Sequence, residues 1–348
     1  MLTHFGSFVF LTSLIALCAA TQSAHAEPAL GILRSEFIYD ANPPTPSCHA
    51  STIAQTPDGL AAAWFGGTAE GHKDVGIWVA LAREDKWSPP VEVATGMQAD
   101  GLRLPCWNPV LFQFPDGPLE LFYKIGKNPR EWWGMVMESD DAGKTWGAPR
   151  RLPAGILGPI KDKPVLLSDG TLLSPSSTED AGWQVHMEWT LDGGKSWSKT
   201  NPLNDPKTFG LIQPTILNHG AAGIQMLCRS RQKFIVESWS KDGGKTWGPF
   251  AATLLPNPNS GIDAVMLKDG RALLIYNNTP KGRSPLNVAV SVDGKSWKSG
   301  PGLETEPGEY SYPAVIQTSG GLVHVTYTWK RQRIKHVVLD PAKLEFKD

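Results

Sequence analysis

Cysteine is scarce in this 348-residue chain, at four residues, and net charge is almost absent, at −1. Of the four thiols, Cys18 falls in an apolar leader. The other three, Cys48, Cys106 and Cys228, are an odd number, so an exported chain keeps at least one of them free. Cys48 and Cys106 precede equivalent strands in neighbouring repeats, which permits a disulfide, although buried free thiols are the expected state. No Cys/His spacing suggests zinc. The balanced charge removes the electrostatic case for nucleic acid or an anionic membrane, so recognition of an anion has to be local. Long apolar runs are missing after the leader, and none approaches the ~20 residues of a membrane span. Glycine (35), proline (29) and tryptophan (14) are instead plentiful. Many turns and many aromatics suit an all-β protein of short strands, and the length calls for two domains or a repeat architecture.

The first residues read as a targeting segment. Phe8 to Ala20 is apolar and Ala24-His25-Ala26 is a small-x-small cleavage site, which predicts a signal peptide over 1–26 and a mature single domain over 27–348. The expected destination is the periplasm or the extracellular space. Cys18 raises a lipoprotein alternative, but Leu17 occupies the place where a small residue is wanted.

Internal repetition sets the organisation. Ser139-x-Asp141-x-Gly143-x-Thr145-Trp146 recurs as Ser240-x-Asp242-x-Gly244-x-Thr246-Trp247 and, with conservative changes, as Thr190-x-Asp192-x-Gly194-x-Ser196-Trp197. Ser291-x-Asp293-Gly294-Lys295-Ser296-Trp297 is one residue short, and Asp85-Lys86-Trp87 is a remnant. The box tryptophans recur at a spacing of about fifty residues. Between boxes, apolar runs flank turns at Asp58-Gly59, Asp116-Gly117, Asp169-Gly170, His219-Gly220, Asp269-Gly270 and Ser319-Gly320. Asp-Gly between apolar runs is a hairpin signal. Hairpin, third strand, box turn and fourth strand together make one propeller blade, which predicts six blades. The last blade, from about Tyr310 to Lys335, lacks a fourth strand, and Gly31 to Tyr39 is expected to supply it and close the ring. In each box, Asp accepts backbone N–H groups, Gly supplies the unusual dihedrals and Trp packs between sheets, so the box is structural.

These boxes resemble the Asp-box repeat of the sialidase superfamily, and the resemblance covers nearly the whole mature chain. It implies an axial site on the face opposite the boxes, built by the starts of innermost strands and the loops after second strands. Inner-strand starts carry His49, Trp107-Asn108, Lys161-Asp162-Lys163, Gln213, Asp263, and Tyr310 with Tyr312. The loops carry Glu70, His72, Asp74, Lys124, Glu179, Arg229 with Arg231, Asn277-Asn278 with Arg283, and Trp329 with Arg331. Charges such as Asp162, Lys163 and Asp263 opening apolar strands are costly to bury unless paired. They mark either a site or a set of inter-blade stitches.

Carried over residue by residue, the resemblance makes Tyr310, in Glu309-Tyr310-Ser311-Tyr312-Pro313, the nucleophile, with Tyr312 a packing residue. A phenol suits a substrate with a carboxylate on its anomeric carbon, which would repel an attacking carboxylate. Asp74 matches the acid/base, with Glu70 as its alternative. Arg229 and Arg283 match two of three carboxylate-gripping arginines. The first arginine is replaced by His49, which could hold a carboxylate when protonated or act as a base. The glutamate partner of the tyrosine is replaced by Gln213, which cannot take a proton, so Asp263 or Glu309 would have to serve. Lys163, Asp263, Asn108 and Glu70 complete the expected binding set.

Three functions remain open on these residues. One is an exported exo-glycoside hydrolase that removes a terminal acidic sugar, sialic acid by family default, with retention through a tyrosine nucleophile. Another is a polysaccharide lyase or atypical glycosidase acting on uronic acids through His49 and Tyr310. The third is a non-catalytic glycan-binding propeller with Trp107, Trp132, Trp133 and Trp329 as stacking platforms. No cofactor is required, and no EF-hand-like loop is present. The expected partner is a glycan with an acidic sugar.

Overall fold

The computed structural model describes residues 1–4, 30–39 and 44–347. The apolar run of the expected leader and its cleavage site lie outside the described residues. The chain folds as six antiparallel sheets arranged as the blades of a propeller. Blade one contains Ser47–Thr56, Gly59–Gly67, Gly76–Arg83 and Lys86–Trp87, with Val91–Ala94 also paired to Gly76–Arg83. The innermost strands of blades two to six are Cys106–Gln113, Val165–Leu166, Leu211–Asn218, Asp263–Met266 and Tyr310–Gln317.

Hairpins form where the Asp-Gly signals stand, and the paired runs bury their apolar faces between neighbouring blades. Leu111, Leu121 and Tyr123 of blade two, for example, share one core with Ala63 and Ile77 of blade one. Each box closes on its own side chains. Asp242 Oδ1 accepts from Ser240 Oγ (2.9 Å) and Thr246 N (2.9 Å), while Oδ2 accepts from Thr246 Oγ1 (2.6 Å). Gly244, at φ 86°, is followed by Trp247, whose indole donates back to the Gly244 carbonyl at 3.0 Å. Trp197, Trp247 and Trp297 lock their own turns in this way, whereas the Trp146 indole N–H is buried without a partner.

Ring closure follows the expected route. Ile32–Phe37 pairs antiparallel with Arg333–Leu339 and becomes the fourth strand of blade six. Opposite it stands the box remnant of blade one, and polar contacts join the two. Glu36 accepts from Trp87 Nε1 (3.3 Å) and pairs with His336 Nδ1 (3.0 Å); Arg34 reaches Asp85 at 2.9 Å. His336 Nε2 in turn lies 3.0 Å from His324 Nδ1. The three cysteines outside the leader are buried free thiols. Among the described residues, no helix is long and apolar enough to cross a membrane.

Candidate axial site

The innermost strands carry a repeated irregularity where they approach the axis. Register shifts occur between His49 and Thr52, Trp107 and Val110, Ile212 and Thr215, and Ser311 and Ala314. Inside each shift one residue takes a left-handed backbone: Ala50 (φ 55°), Asn108 (35°), Gln213 (52°) and Tyr312 (54°). Such conformations are costly for non-glycine residues, and bulges of this kind re-aim a side chain. Here they bring the Gln213 and Tyr312 side chains together.

The bulge exchanges the expected positions of the two tyrosines. Tyr310 lies outside the bulge, 1% exposed, in a core with Leu286, Val315 and Val337. Burial, with Glu304 and Glu306 nearby, raises its pKa. Tyr312 faces the axis instead. Its hydroxyl accepts from Arg229 Nη1 (2.8 Å) and Gln213 Nε2 (3.0 Å), and Arg229 Nη1 also donates to Gln213 Oε1 (2.9 Å). Asn259 holds the Arg229 Nε at 2.7 Å. The His49 ring lies 4.0 Å from the Tyr312 ring, and the Arg283 guanidinium 5.8 Å from it.

A second arginine pair adjoins this group. Arg283 Nη1 (2.8 Å) and Arg331 Nε (2.6 Å) both donate to Glu309 Oε1, and Arg331 also pairs with Glu70. Burial opposes ionisation of Glu309, but the two guanidinium groups override it and hold its carboxyl below the usual range. Burial, then Arg331, Arg283, Arg229 and Lys161, push the His49 pKa well below that of free imidazole. His49 is therefore neutral and cannot grip a carboxylate by charge. Its Nδ1 is 2.9 Å from Thr328 Oγ1, and its Nε2 is buried without a partner.

Asp74 does not stand as a protonated acid. Burial acts against its charge, but Thr68 and His72 outweigh it. The Thr68 backbone N–H (3.1 Å), the Thr68 hydroxyl (2.6 Å) and His72 (2.6 Å) bring its pKa to about 2. It is a turn carboxylate saturated by its own loop. Glu179 behaves oppositely: burial raises its pKa against the pull of Arg229 and the Trp183 indole, which donates to it at 3.0 Å. Trp183 also lies under Arg229 at 5.3 Å and Arg231 at 4.1 Å.

Three expected binding residues are inter-blade stitches. Asp263 accepts from Lys163 Nζ (2.9 Å), Thr215 Oγ1 (2.9 Å), Ala264 N (2.8 Å) and Val315 N (2.8 Å), tying blades three to six together. This saturated carboxylate has no capacity left for the phenol proton. Lys163 spends its remaining bond on the Ala264 carbonyl (2.7 Å), and Asn108 donates to the Ile160 carbonyl (3.1 Å). Lys161 bridges Asp162 Oδ1 (2.5 Å) and the carbonyls of Ile262 and Pro313. Burial raises the Asp162 pKa far above the carboxylate range. The sequence held a signal for the Tyr312 exchange: Asn108, Gln213 and Tyr312 each precede a proline, which places Tyr312 in register with Gln213.

Fold and boxes together define a six-bladed Asp-box propeller with a sialidase-like architecture. The sequence profile of the BNR repeat-like domain matches residues 58–325, and the chain belongs to that family. Three solved structures are similar. The Hadza microbial sialidase Hz136 is 17% identical with a TM-score of 0.73, over 86% of this chain and 66% of that one, so this chain spans slightly under two thirds of its length. A protein of unknown function from Dyadobacter fermentans is 17% identical with a TM-score of 0.73, over 92% and 100%. The intramolecular trans-sialidase from Ruminococcus gnavus, in complex with oseltamivir carboxylate, is 12% identical with a TM-score of 0.72, over 90% and 99%. At these identities the likeness is one of fold. No curated protein matches the sequence.

Proposed function

We propose that the chain is an exported glycoside hydrolase of the sialidase type that takes a terminal acidic sugar at the propeller axis, with Tyr312 as nucleophile. The observation that carries this reading is the phenol oxygen of Tyr312 held by Arg229 and Gln213 among further cations. Hydrogen bonds from a cation stabilise the negative charge that oxygen gains as it loses its proton, before it bonds to an anomeric carbon. Arg229, Arg283 and Arg331 form the carboxylate grip, with Arg331 supplying the third guanidinium in place of His49. The substrate carboxylate would compete with Glu309 for two of them.

Proton traffic follows from the groups that remain. With Nδ1 protonated and donating to Thr328, His49 Nε2 carries a lone pair; its ring lies 4.0 Å from the Tyr312 ring without a hydrogen bond to the phenol, so the phenol proton would reach it through a water. Glu179, whose pKa burial raises beside Arg229, is the donor to the departing oxygen. Attack by Tyr312 breaks the glycosidic bond as that proton reaches the leaving group. Water then hydrolyses the glycosyl-tyrosine with retention.

A second reading rests on the same neutral histidine. His49 and Tyr312 with Arg229 neutralising a uronate would suit β-elimination, which needs no glutamate at position 213. A fluorogenic sialoside tests the hydrolase, and a rise in ultraviolet absorbance on uronate polysaccharides tests the lyase. Turnover of the sialoside at any pH from about 4 to 8 supports the first reading. No release across that range, with absorbance rising on uronates, replaces it by the second.

A further inference from the structure

A cavity of about 300 Å³ opens between blades two and three, away from the axial residues. Its walls include Arg130, Trp132, Trp133, Arg151, Lys199 and Asp180. Its volume lies at the small end of the range for ligand sites.

The cavity and the axial site share a wall. The penultimate residue of strand Leu172–Thr178 is Ser177, whose hydroxyl receives the Gln213 backbone N–H at 3.2 Å. Its neighbour Thr178 lines the cavity. Glu179 then contacts Trp183 beside Arg229, and Asp180 again lines the cavity. Successive residues of one strand end thus face the two sites in turn.

An aromatic chain supports the same quadrant. From His49 it passes to Phe65 (5.7 Å), to Trp107 (6.0 Å) and to Trp132 (6.0 Å), which lines the cavity. Trp107 donates to the Gly126 carbonyl at 2.8 Å. A Cβ on Gly126 would come within 2.4 Å of the Trp132 backbone, so the loop is pressed against its own tryptophan. These contacts fix the wall without help from a ligand.

The cations of this cavity are not spent on carboxylates. Arg151 lies over the Trp133 ring at 4.6 Å, and Lys199 donates to the Gly155 carbonyl at 2.7 Å. Neither Arg130 nor Arg151 has a carboxylate within 4.0 Å among the described residues. Three cations face one acid, Asp180, in a chain whose net charge is −1. Indole faces offer a platform for a pyranose ring, and unpaired guanidinium groups offer bidentate bonds to a carboxylate.

We infer that this cavity is a second carbohydrate subsite that holds another acidic residue of the glycan whose terminal sugar occupies the axis. The inference rests on the axial reading for the position of the terminal sugar. The ligand is an acidic oligosaccharide rather than a single sugar.

Calorimetric titration of the full chain carrying Tyr312→Phe, which leaves the ligand uncleaved, tests it. The probes are a sialic acid trimer and a galacturonic acid trimer, each beside its own monomer. The trimer of the preferred sugar should bind at least about tenfold more tightly than its monomer, and Arg151→Gln or Arg130→Gln should each reduce that advantage about three- to tenfold. Monomer affinity should be unchanged in Arg151→Gln, because that arginine touches no axial residue, and should change less than about threefold in Arg130→Gln, which acts on Glu179 only by charge. Both side chains are exposed, so the substitutions leave the core intact, and Trp133→Ala serves as an independent probe of the ring platform. A trimer that binds no better than its monomer overturns the inference, as does an advantage that survives Arg151→Gln and Arg130→Gln together. Arg229→Ala separates the two readings: monomer affinity that survives it removes the axial assignment, while the trimer advantage still judges the cavity.

Discussion

On the box face, Asp141, Asp192, Asp242 and Asp293 meet nearly the same partners at nearly the same distances, and each is held at a pKa of about 2. At the opposite ends of the same sheets, the bulges of four blades present Ala50, Asn108, Gln213 and Tyr312, no two alike. Charge is treated differently too. The box carboxylates are exposed and ionised, whereas burial drives Asp162 towards its neutral acid, His49 to neutral imidazole and Lys124 to a pKa of about 7. Where the chain repeats itself, hydrogen bonds satisfy each box carboxylate locally. Where it diverges, groups from different blades complete one another, and orphaned atoms such as His49 Nε2 and Asp162 Oδ2 remain.

The largest test of this contrast is the tyrosine pair. Tyr312→Phe should lower turnover on the order of 10⁴-fold, while Tyr310→Phe keeps activity within about threefold, as expected away from the reacting atoms. Steady-state rates of the two purified variants decide it, and a severe loss confined to Tyr310→Phe would return the nucleophile to that residue. Next comes the stitch below the site. Asp263→Ala strands the Lys163 ammonium and should cost about 3–5 kcal/mol in denaturant unfolding.

The closing seam supplies a pH test. Burial, then the neighbouring His336, lowers the His324 pKa to about 4, below its unfolded value of about 6.5. The unfolded chain therefore binds the extra proton first, and stability falls as pH drops from about 6.5 towards 4. His324→Gln should flatten the dependence of Tm on pH over that window. The smallest effect belongs to a single box. Asp242→Ala should lower Tm by roughly 2–4 °C, and the contribution of the Asp242 carboxylate should begin to fade as pH falls below about 4, where its unfolded counterpart protonates, and be gone only below its folded pKa of about 2. A collapse of activity without change in Tm would overturn the division between the two faces.

The blades were legible because their signals are local: an Asp-Gly turn, an apolar run and a box each act over a few residues. The closing strand was legible because a three-stranded last blade leaves an edge to cover. The axial cluster was legible as a set of positions but not as a set of roles. Alternation along Glu309-Tyr310-Ser311-Tyr312 is shifted by the bulge, and a one-residue shift turns a core side chain into an axial one. The part played by Arg331 depends on Glu309 and Glu70, which come from other segments of the chain. Saturation of Asp74 and Asp263 depends on backbone N–H groups, which no residue name announces.

Pairing of Ile32–Phe37 with the last strand joins side chains as far apart as Glu36 and His336, 300 positions along the chain. The other blades are assembled from hairpins that can form as each segment emerges during synthesis. Blade six alone must wait for both extremes of the domain, since loop closure over such a span is paid before its contacts reward it. The first strand to be made is thus the last to dock, and until it does the ring carries an open seam between blades six and one. Amide hydrogens of Arg333–Leu339 facing that strand should be the last to gain protection on refolding.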